Sequence, residues 1–192
     1  MNHRLYGMRC YLSGAMDKIK DYGAEWRDEL SPFLERMGII VLNPCKKPIH
    51  IINEMENRER RTKLKLAKEY KILAEETKTV RDIDLRMVNM SDFLILRLDT
   101  SVHTCGTYEE ISWARKADKP ILVWCLQEKM GLPEWLWGMI PYSHIFDTKE
   151  ELKSYLVHIH TTDIIEDMES WIFFDFSKII PIVTVEQSEK IS

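Results

Sequence analysis

Residues 92–125, DFLILRLDTSVHTCGTYEEISWARKADKPILVWC, predict a strand, a helix and a second strand in direct succession. The runs at 92–98 and 119–125 are short and almost continuously apolar, which is typical of strands that are buried on both faces. The segment from about Thr107 to Ala117 lies between them and predicts a helix that begins at a Gly-Thr pair. Strands that alternate with helices in this way indicate a parallel sheet with helices on both of its faces.

The same alternation extends to both sides of this unit. Three further apolar runs predict strands, at 8–14, 39–44 and 144–147. Three further segments predict helices, at 22–37, 80–92 and 148–160. Pro32 marks a boundary or a kink in the first of these helices. The expected fold class is therefore α/β, a three-layer, doubly wound sheet of the flavodoxin or Rossmann type, mostly parallel and with about five strands.

Two segments stand outside this alternation. Residues 53–79 are rich in charge and in strong helix formers, and they predict one or two exposed helices inserted between the second and third strands. Their cations are interleaved with acids, which favours a solvated face over a phosphate site. The tail at 161–192 contains an apolar stretch at 170–185. We expect it to pack on the domain formed by residues 1–160 or on a partner subunit.

Composition narrows the possible functions. The chain has 192 residues, 45% of them hydrophobic and 30% charged, which is ordinary for one globular domain. A net charge of -4 provides no basic field for long nucleic acids. The sequence shows neither a secretory signal nor an apolar run long enough for a membrane span, so we expect a cytoplasmic protein. The four cysteines have no metal-ligand spacing and are expected to be reduced thiols.

A ligand site is expected beyond the carboxyl ends of the strands, near the point where the strand order reverses. Three loops reach that edge: YLSGAMD at 11–17, SVHTCGTYEE at 101–110 and PEWLWGM at 133–139. The sequence contains neither GxGxxG nor GxxxxGK[ST]. A dinucleotide site of the Rossmann type and a P-loop are therefore not expected.

Glu109 and Glu110 are adjacent acids near the predicted start of a helix. The first turn of a helix is expected to fix a carboxylate and to keep it ionised, because the helix dipole stabilises negative charge there. Neighbouring helical residues diverge by about 100°, so the two side chains cannot face the same surroundings. The residues alone leave open whether one of them is a catalytic carboxylate or both are structural.

Three segments resemble the nucleoside 2-deoxyribosyltransferase family, particularly its bacterial and phage-type members. CYLSGAMD, at 10–17, is similar to the family's first strand and loop. DIDLRMVNMSDFLILRLD, at 82–99, resembles an acidic helix followed by an apolar strand, and CGTYEEISWARKADKPILVW, at 105–124, resembles a Gly-Thr-x-x-Glu helix followed by a Lys-Pro strand. The resemblance spans residues 8 to 156, with the segments in the family's order.

The resemblance implies a mechanism and its residues. Glu110 falls on the family's nucleophile, Asp84 on the aspartate that contacts and helps to protonate the nucleobase, and Tyr11 on the tyrosine near the nucleophile. Other residues are implied to bind the substrate: Ser13, Gly14, Met16, Asp92, Thr104, Gly106, Thr107 and Trp135. The implied reaction transfers 2-deoxyribose between nucleobases through a covalent glutamyl intermediate, with hydrolysis as a side reaction.

The resemblance also implies the reaction partners. These are a deoxynucleoside or deoxynucleotide and a free nucleobase, with no metal and no cofactor, in a homo-oligomer. Two alternatives remain open. One is a 2′-deoxynucleoside 5′-monophosphate N-glycosidase, whose phosphate would be held by hydroxyl groups of Ser13, Ser101, Thr104 and Thr107. The other is a nucleotide-binding module without catalytic activity.

Overall fold

A parallel sheet forms the centre of the computed structural model, which describes residues 3–16, 19–47, 54–162 and 170–173. The described part contains five strands, all parallel, in the order β2-β1-β3-β4-β5. The strands are β1 (Arg9–Gly14), β2 (Ile40–Leu42), β3 (Phe93–Leu98), β4 (Ile121–Cys125) and β5 (Ile145–Phe146). The predicted α/β class, the parallel sheet and the number of strands are confirmed.

Helices cover both faces of the sheet. They are α1 (Ala24–Arg36), α2 (Glu54–Leu66), α3 (Tyr70–Met90), α4 (Cys105–Lys116), α5 (Glu134–Trp137) and α6 (Lys149–Thr161). Side chains alternate between the two faces of a strand, so each strand contributes to two separate cores. Leu12, Ile95 and Leu122 pack with α1 and α6 on one face. Leu94, Leu96 and Val123 pack with α3 and α4 on the other.

The strand order reverses between β1 and β3. The chain runs outward from β1 to β2 and then returns to place β3 on the other side of β1. Tyr11 of β1 is in register with Leu94, and Ser13 is in register with Leu96. In this topology a crevice opens beyond the carboxyl ends of β1 and β3. The end of β1 is therefore where the fold itself favours a ligand.

Three helix boundaries differ from the sequence prediction. Helix α1 runs through Pro32 instead of ending there. Helix α3 continues across the predicted limit of the charged insertion at residue 79, because no glycine or proline interrupts residues 70–90. Helix α4 begins at Cys105, before the Gly-Thr pair. Glu109 and Glu110 therefore lie in its second turn, beyond the reach of the dipole effect assumed for the first turn.

Part of the C-terminal segment contacts the domain. Within the described residues 170–173, Trp171 is buried, packs against Phe93 and donates a hydrogen bond to the Tyr155 hydroxyl at 3.0 Å. The ring of Phe173 stacks on that of Trp171. Most of the predicted apolar stretch at 170–185 lies outside the described residues. No helix in the described part of the chain is long and apolar enough to cross a membrane.

Gly38 connects α1 to β2 in a conformation that other residues rarely adopt. Its φ is 74°, and a Cβ at this position would lie 2.2 Å from the Tyr6 ring. We expect Gly38→Ala to lower the free energy of unfolding by about 1–2 kcal/mol, since a left-handed alanine is strained even if Tyr6 moves. Urea denaturation measures this change. Gly138→Ala is the matched control, because Gly138 has a φ of -81° and its Cβ would meet nothing closer than 3.6 Å. An equal effect of both substitutions would contradict the conclusion that the backbone conformation at Gly38 requires glycine.

Candidate active site

The carboxyl group of Glu110 is bound by two hydroxyl groups of β1. The Tyr11 hydroxyl donates to Oε1 at 2.8 Å, and the Ser13 hydroxyl donates to Oε2 at 2.5 Å. Tyr11 and Ser13 are two residues apart on a strand, so both side chains project from the same face of the sheet. Both are fully buried, whereas Glu110 is half-buried. The carboxyl group is thus fixed at the end of β1 but retains access to solvent.

Burial raises the pKa of Glu110 to about 7. The hydrogen bonds from Ser13 and Tyr11 oppose this shift, the charge of Asp84 adds to it, and the charge of Arg27 opposes it. The expectation that the start of the helix keeps Glu110 ionised is wrong, because Glu110 lies in the second turn and its burial favours the protonated form. Near neutral pH the group is divided between its acid and carboxylate forms.

Tyr11 remains a hydrogen-bond donor throughout this range. Burial raises the pKa of its hydroxyl well above the ordinary value, and the negative charges of Glu110 and Asp84 raise it further. A phenol that keeps its proton can donate to the carboxylate at every pH at which Glu110 titrates. Tyr11 therefore stays neutral and holds Glu110 in position while Glu110 titrates.

Asp84 lies on α3 and forms an ion pair with Lys47. The Lys47 Nζ and the Asp84 Oδ1 are 3.0 Å apart, and the two side chains are only 1% and 14% exposed. The charge of Asp84 acts on both Glu110 and Tyr11. The structure therefore brings the predicted nucleophile, the predicted base-contacting aspartate and Tyr11 into one electrostatic cluster.

Arg27 is a functional candidate that the sequence analysis missed. Its side chain is fully buried and donates to four backbone carbonyl groups around the end of β1 and the start of α1: those of Leu12 at 3.0 Å, Gly14 at 3.0 Å, Tyr22 at 3.4 Å and Gly23 at 2.8 Å. Its positive charge lowers the pKa of Glu110. A signal was present, because Arg27 shares the buried stripe of α1 with Leu30 and Leu34, three and seven residues later. A cation on an apolar stripe needs a buried partner.

Lys47 was also missed, and the sequence offered little to find it. It follows Lys46 directly, and both stand in a proline-containing segment after β2. The structure separates the two lysines. The side chain of Lys46 is 65% exposed and pairs with Asp28 on the surface, whereas that of Lys47 turns inward to Asp84.

Gly106 leaves open space next to Glu110. A Cβ at Gly106 would meet no atom within 4 Å. Residues four apart lie above one another on the same side of a helix, so this space adjoins the side chain of Glu110. Thr104 and Thr107 lie beside it and are buried, with their hydroxyl groups hydrogen-bonded to each other. The predicted binding residues Thr104, Gly106 and Thr107 therefore border the approach to the carboxylate.

Glu109 faces away from the cluster. The Arg81 Nε donates to both of its carboxylate oxygens, at 3.0 and 2.8 Å, and this ion pair lowers the pKa of Glu109. Arg81 belongs to α3, so the pair joins α3 to α4 at the surface. The two neighbouring acids thus have separate surroundings, as helical geometry requires.

Two predicted binding residues lie apart from this group. Asp92 accepts hydrogen bonds from the backbone N–H of Arg9 at 2.7 Å and from its guanidinium at 2.8 and 3.1 Å. It precedes β3 and therefore lies at the amino edge of the sheet, so the structure does not bring it together with Glu110, and its role in substrate binding stays a prediction. Trp135 lies on α5 with 83% of its surface exposed, and no described contact connects it to Glu110.

Gly14 and Met16 continue the chain from the end of β1. A Cβ at Gly14 would lie 2.9 Å from the carbonyl oxygen of Arg97, so close strand pairing requires glycine there. Met16 is half-buried just beyond the strand.

In the described part of the chain, no three His, Cys, Asp or Glu side chains are grouped to hold a metal ion. A separate surface cavity lies beside β5 and α6, where Lys129, Tyr142 and Thr148 line it.

Glu110 predicts how stability depends on pH. A carboxyl group whose pKa is higher in the folded than in the unfolded chain stabilises the fold at low pH, and this contribution is lost as the pH rises to about 7. We expect Glu110→Gln to remove up to about 3 kcal/mol of this pH dependence, and less to the extent that solvent reaches Glu110. Urea denaturation at pH 5 and pH 8 gives the difference. Glu109→Gln is the control. If the pH dependence of the wild-type protein persists in Glu110→Gln, the raised pKa of Glu110 is not its source.

No family model matches the chain, and no curated protein matches it significantly. Solved structures do resemble it. The 2-deoxyribosyltransferase of Leishmania mexicana aligns with a TM-score of 0.51 at 17% identity, over 80% of this chain and 99% of that one. That of Bacillus psychrosaccharolyticus aligns with a TM-score of 0.50 at 14% identity, over 77% and 91%.

A CMP N-glycosidase of Clostridium botulinum aligns with a TM-score of 0.47 at 19% identity, over 79% of this chain and 98% of that chain. This score is too low to support an argument. The two deoxyribosyltransferases align over most of the chain, and they confirm the α/β fold that the sequence resemblance implies. The chain therefore has the fold of the nucleoside 2-deoxyribosyltransferases.

Proposed function

We propose that the chain is an enzyme that transfers 2-deoxyribose between nucleobases through an ester formed on Glu110. The observation that carries this proposal is the placement of the Glu110 carboxyl group, which Tyr11 and Ser13 hold at the end of β1 beside Asp84. A nucleophilic carboxylate needs a fixed position and access to an electrophilic carbon. Its half-buried state and the open space at Gly106 are consistent with both requirements.

The reaction consists of two displacements at one carbon. An oxygen of Glu110 attacks C1′ of the deoxynucleoside, and the C1′–N bond breaks with its electron pair remaining on the base, which then takes up a proton. Asp84 faces the departing base and supplies a hydrogen bond or the proton. A ring nitrogen of a second base then attacks C1′ and releases Glu110. Each displacement inverts C1′, so the product retains the original configuration. Water in place of the second base gives hydrolysis.

The protonation state of Glu110 controls the first displacement. Only the carboxylate form can attack, so activity should fall as the pH decreases through about 7. A raised pKa also makes the carboxylate a better nucleophile than an ordinary exposed glutamate. Ser13 and Tyr11 keep it oriented without neutralising it, since both are neutral donors.

The nucleotide alternative receives less support from the hydroxyl groups assigned to it. All four are hydrogen-bonded within the protein: Ser13 to Glu110, Ser101 to Asp99 at 2.6 Å, and Thr104 and Thr107 to each other. A phosphate would have to displace these partners. A deoxynucleoside without phosphate is therefore the substrate that we favour.

We expect incubation with deoxyadenosine and cytosine to yield deoxycytidine and adenine. Denaturation of the protein during turnover should trap a 2-deoxyribosyl group on Glu110, detectable by intact and peptide mass spectrometry. Glu110→Gln should lose at least about 10³-fold in kcat and form no adduct, because the amide is not nucleophilic. Glu109→Gln, which changes the neighbouring half-buried acid that pairs with Arg81, should retain activity and the adduct.

Different outcomes distinguish the alternatives. Release of base from 2′-deoxynucleoside 5′-monophosphates alone would replace the transferase by the N-glycosidase. Ligand binding without turnover of either substrate class would leave a binding module. An adduct on a residue other than Glu110 would reject the proposed nucleophile.

Gly106→Ala tests where the substrate approaches. The new methyl group meets no protein atom, and alanine is the better helix former, so the stability should stay the same or rise by up to about 1 kcal/mol. If the substrate occupies this space, kcat/KM should fall at least about tenfold, by the steric cost of overpacking. Steady-state kinetics together with urea denaturation separate the two effects. Ser112→Ala, on the exposed side of α4, is the control, and unchanged kinetics in Gly106→Ala would place the substrate elsewhere.

A further inference from the structure

We propose that Lys47 is a positioning residue that keeps Asp84 ionised, so that Asp84 meets the nucleobase as a hydrogen-bond acceptor and not as the proton donor. The inference rests on the proposed function for the identity of the substrate. The ion pair itself does not depend on that function.

The geometry of the pair supports this role. The Lys47 ammonium lies 3.0 Å from Asp84 Oδ1, and only 1% of the Lys47 side chain is exposed. Lys47 follows a short 3₁₀ turn, Pro44–Lys46, which begins after β2 and packs against β1. Its side chain thus reaches α3 from the other side of the site. A buried ammonium is costly unless it is paired, and Asp84 provides the negative charge.

Within the described residues, charged and titratable groups reach Asp84 from several other parts of the fold. Lys47 approaches from the segment after β2, Glu110 from α4, Tyr11 from β1 and Arg27 from α1. The described cations Lys47 and Arg27 therefore face the carboxyl groups of Asp84 and Glu110. Arg27 directs its hydrogen bonds to backbone carbonyl groups, whereas Lys47 contacts a carboxylate directly.

This asymmetry decides which carboxyl group takes up a proton. Neighbouring like charges favour protonation of one of the two, and the one without a cationic partner in contact is protonated first. Asp84 has Lys47 in contact, and Glu110 has only neutral hydroxyl donors in contact. Glu110 is therefore the group that titrates near neutral pH, and Asp84 remains ionised.

An ionised Asp84 changes how the leaving base is handled. A carboxylate has no proton to donate, so it can orient the base only by accepting a hydrogen bond from a ring N–H or an exocyclic amino group. When the C1′–N bond breaks, the electron pair remains on the base nitrogen, which takes its proton from water. The site would then select bases that present an N–H to Asp84.

Two lysine substitutions test the proposal on the full chain. Lys47→Met removes the buried cation with little change in length. Lys46→Met, at the preceding exposed position, is the matched control. ¹³C NMR of labelled Asp and Glu carboxyl groups follows both acids from pH 4.5 to 8.5, and spectra of Asp84→Asn and Glu110→Gln assign the two signals. This readout needs no substrate.

In the wild-type protein and in Lys46→Met, the Glu110 signal should move across neutral pH while the Asp84 signal stays constant. In Lys47→Met, the Asp84 signal should move as well. The kcat/KM for deoxynucleosides should fall at least about tenfold at pH 7 and recover at higher pH, because the acid limb of the profile shifts upward. A purely structural role would lower activity equally at every pH.

Further variants keep the proposal falsifiable if Lys47→Met does not fold. Lys47→Gln should reproduce the NMR change, and Lys47→Arg should restore the constant Asp84 signal. The inference is overturned if the Asp84 signal moves across neutral pH in the wild-type protein, or if it is the same with and without Lys47. Absence of deoxyribosyl transfer by the wild-type protein would instead reject the proposed function, and the NMR titration would still test the ion pair.

Discussion

The arrangement of the site depends on one constraint, the buried guanidinium of Arg27 at the end of β1. Its four hydrogen bonds to backbone carbonyl groups join α1 to the strand end and to the turn before the helix. These bonds fix the end of β1 on both sides of Ser13. The Ser13 hydroxyl in turn donates a hydrogen bond to Glu110. A buried cation without a carboxylate in direct contact requires negative charge nearby. Glu110 and Asp84 provide it, so the carboxyl cluster and the strand geometry support each other.

The parallel sheet converts this local arrangement into a site. Because side chains two residues apart share a face, Tyr11 and Ser13 both reach α4. The strand order reverses beside β1, so the connections that follow β1 and β3 lead away from each other. This leaves a crevice at the carboxyl ends of these two strands. Gly14 permits the close pairing of β1 with β3 at the level of Arg97. Backbone packing and side-chain chemistry therefore meet within a few residues at the end of one strand.

Sequence reasoning predicted the elements that depend on local pattern. Apolar runs located all five strands to within two residues at each end, and the resemblance identified Glu110, Asp84 and Tyr11, which the structure brings together. The start of α4 was missed because the Gly-Thr pair was taken as the beginning of the helix, although Thr104, a residue type favoured at the N-cap, precedes it. The resemblance also implied Asp92 as a binding residue, but the structure does not place it near Glu110. Only the sheet shows that Asp92 and Ser13 lie at opposite ends of neighbouring strands. The pair between Lys47 and Asp84 joins segments 37 residues apart, and no local pattern encodes such a contact.

The continuity of α3 has a mechanical consequence. Its 21 residues form one uninterrupted helix about 30 Å long, and Asp84 lies in the second half of it. The first half is largely exposed and is joined to α2 through the ion pair of Arg60 with Glu76. The exposed hairpin of α2 and α3 and the Asp84 carboxylate therefore belong to one continuous element. A contact that tilts the outer end of α3 would also displace Asp84 relative to Glu110.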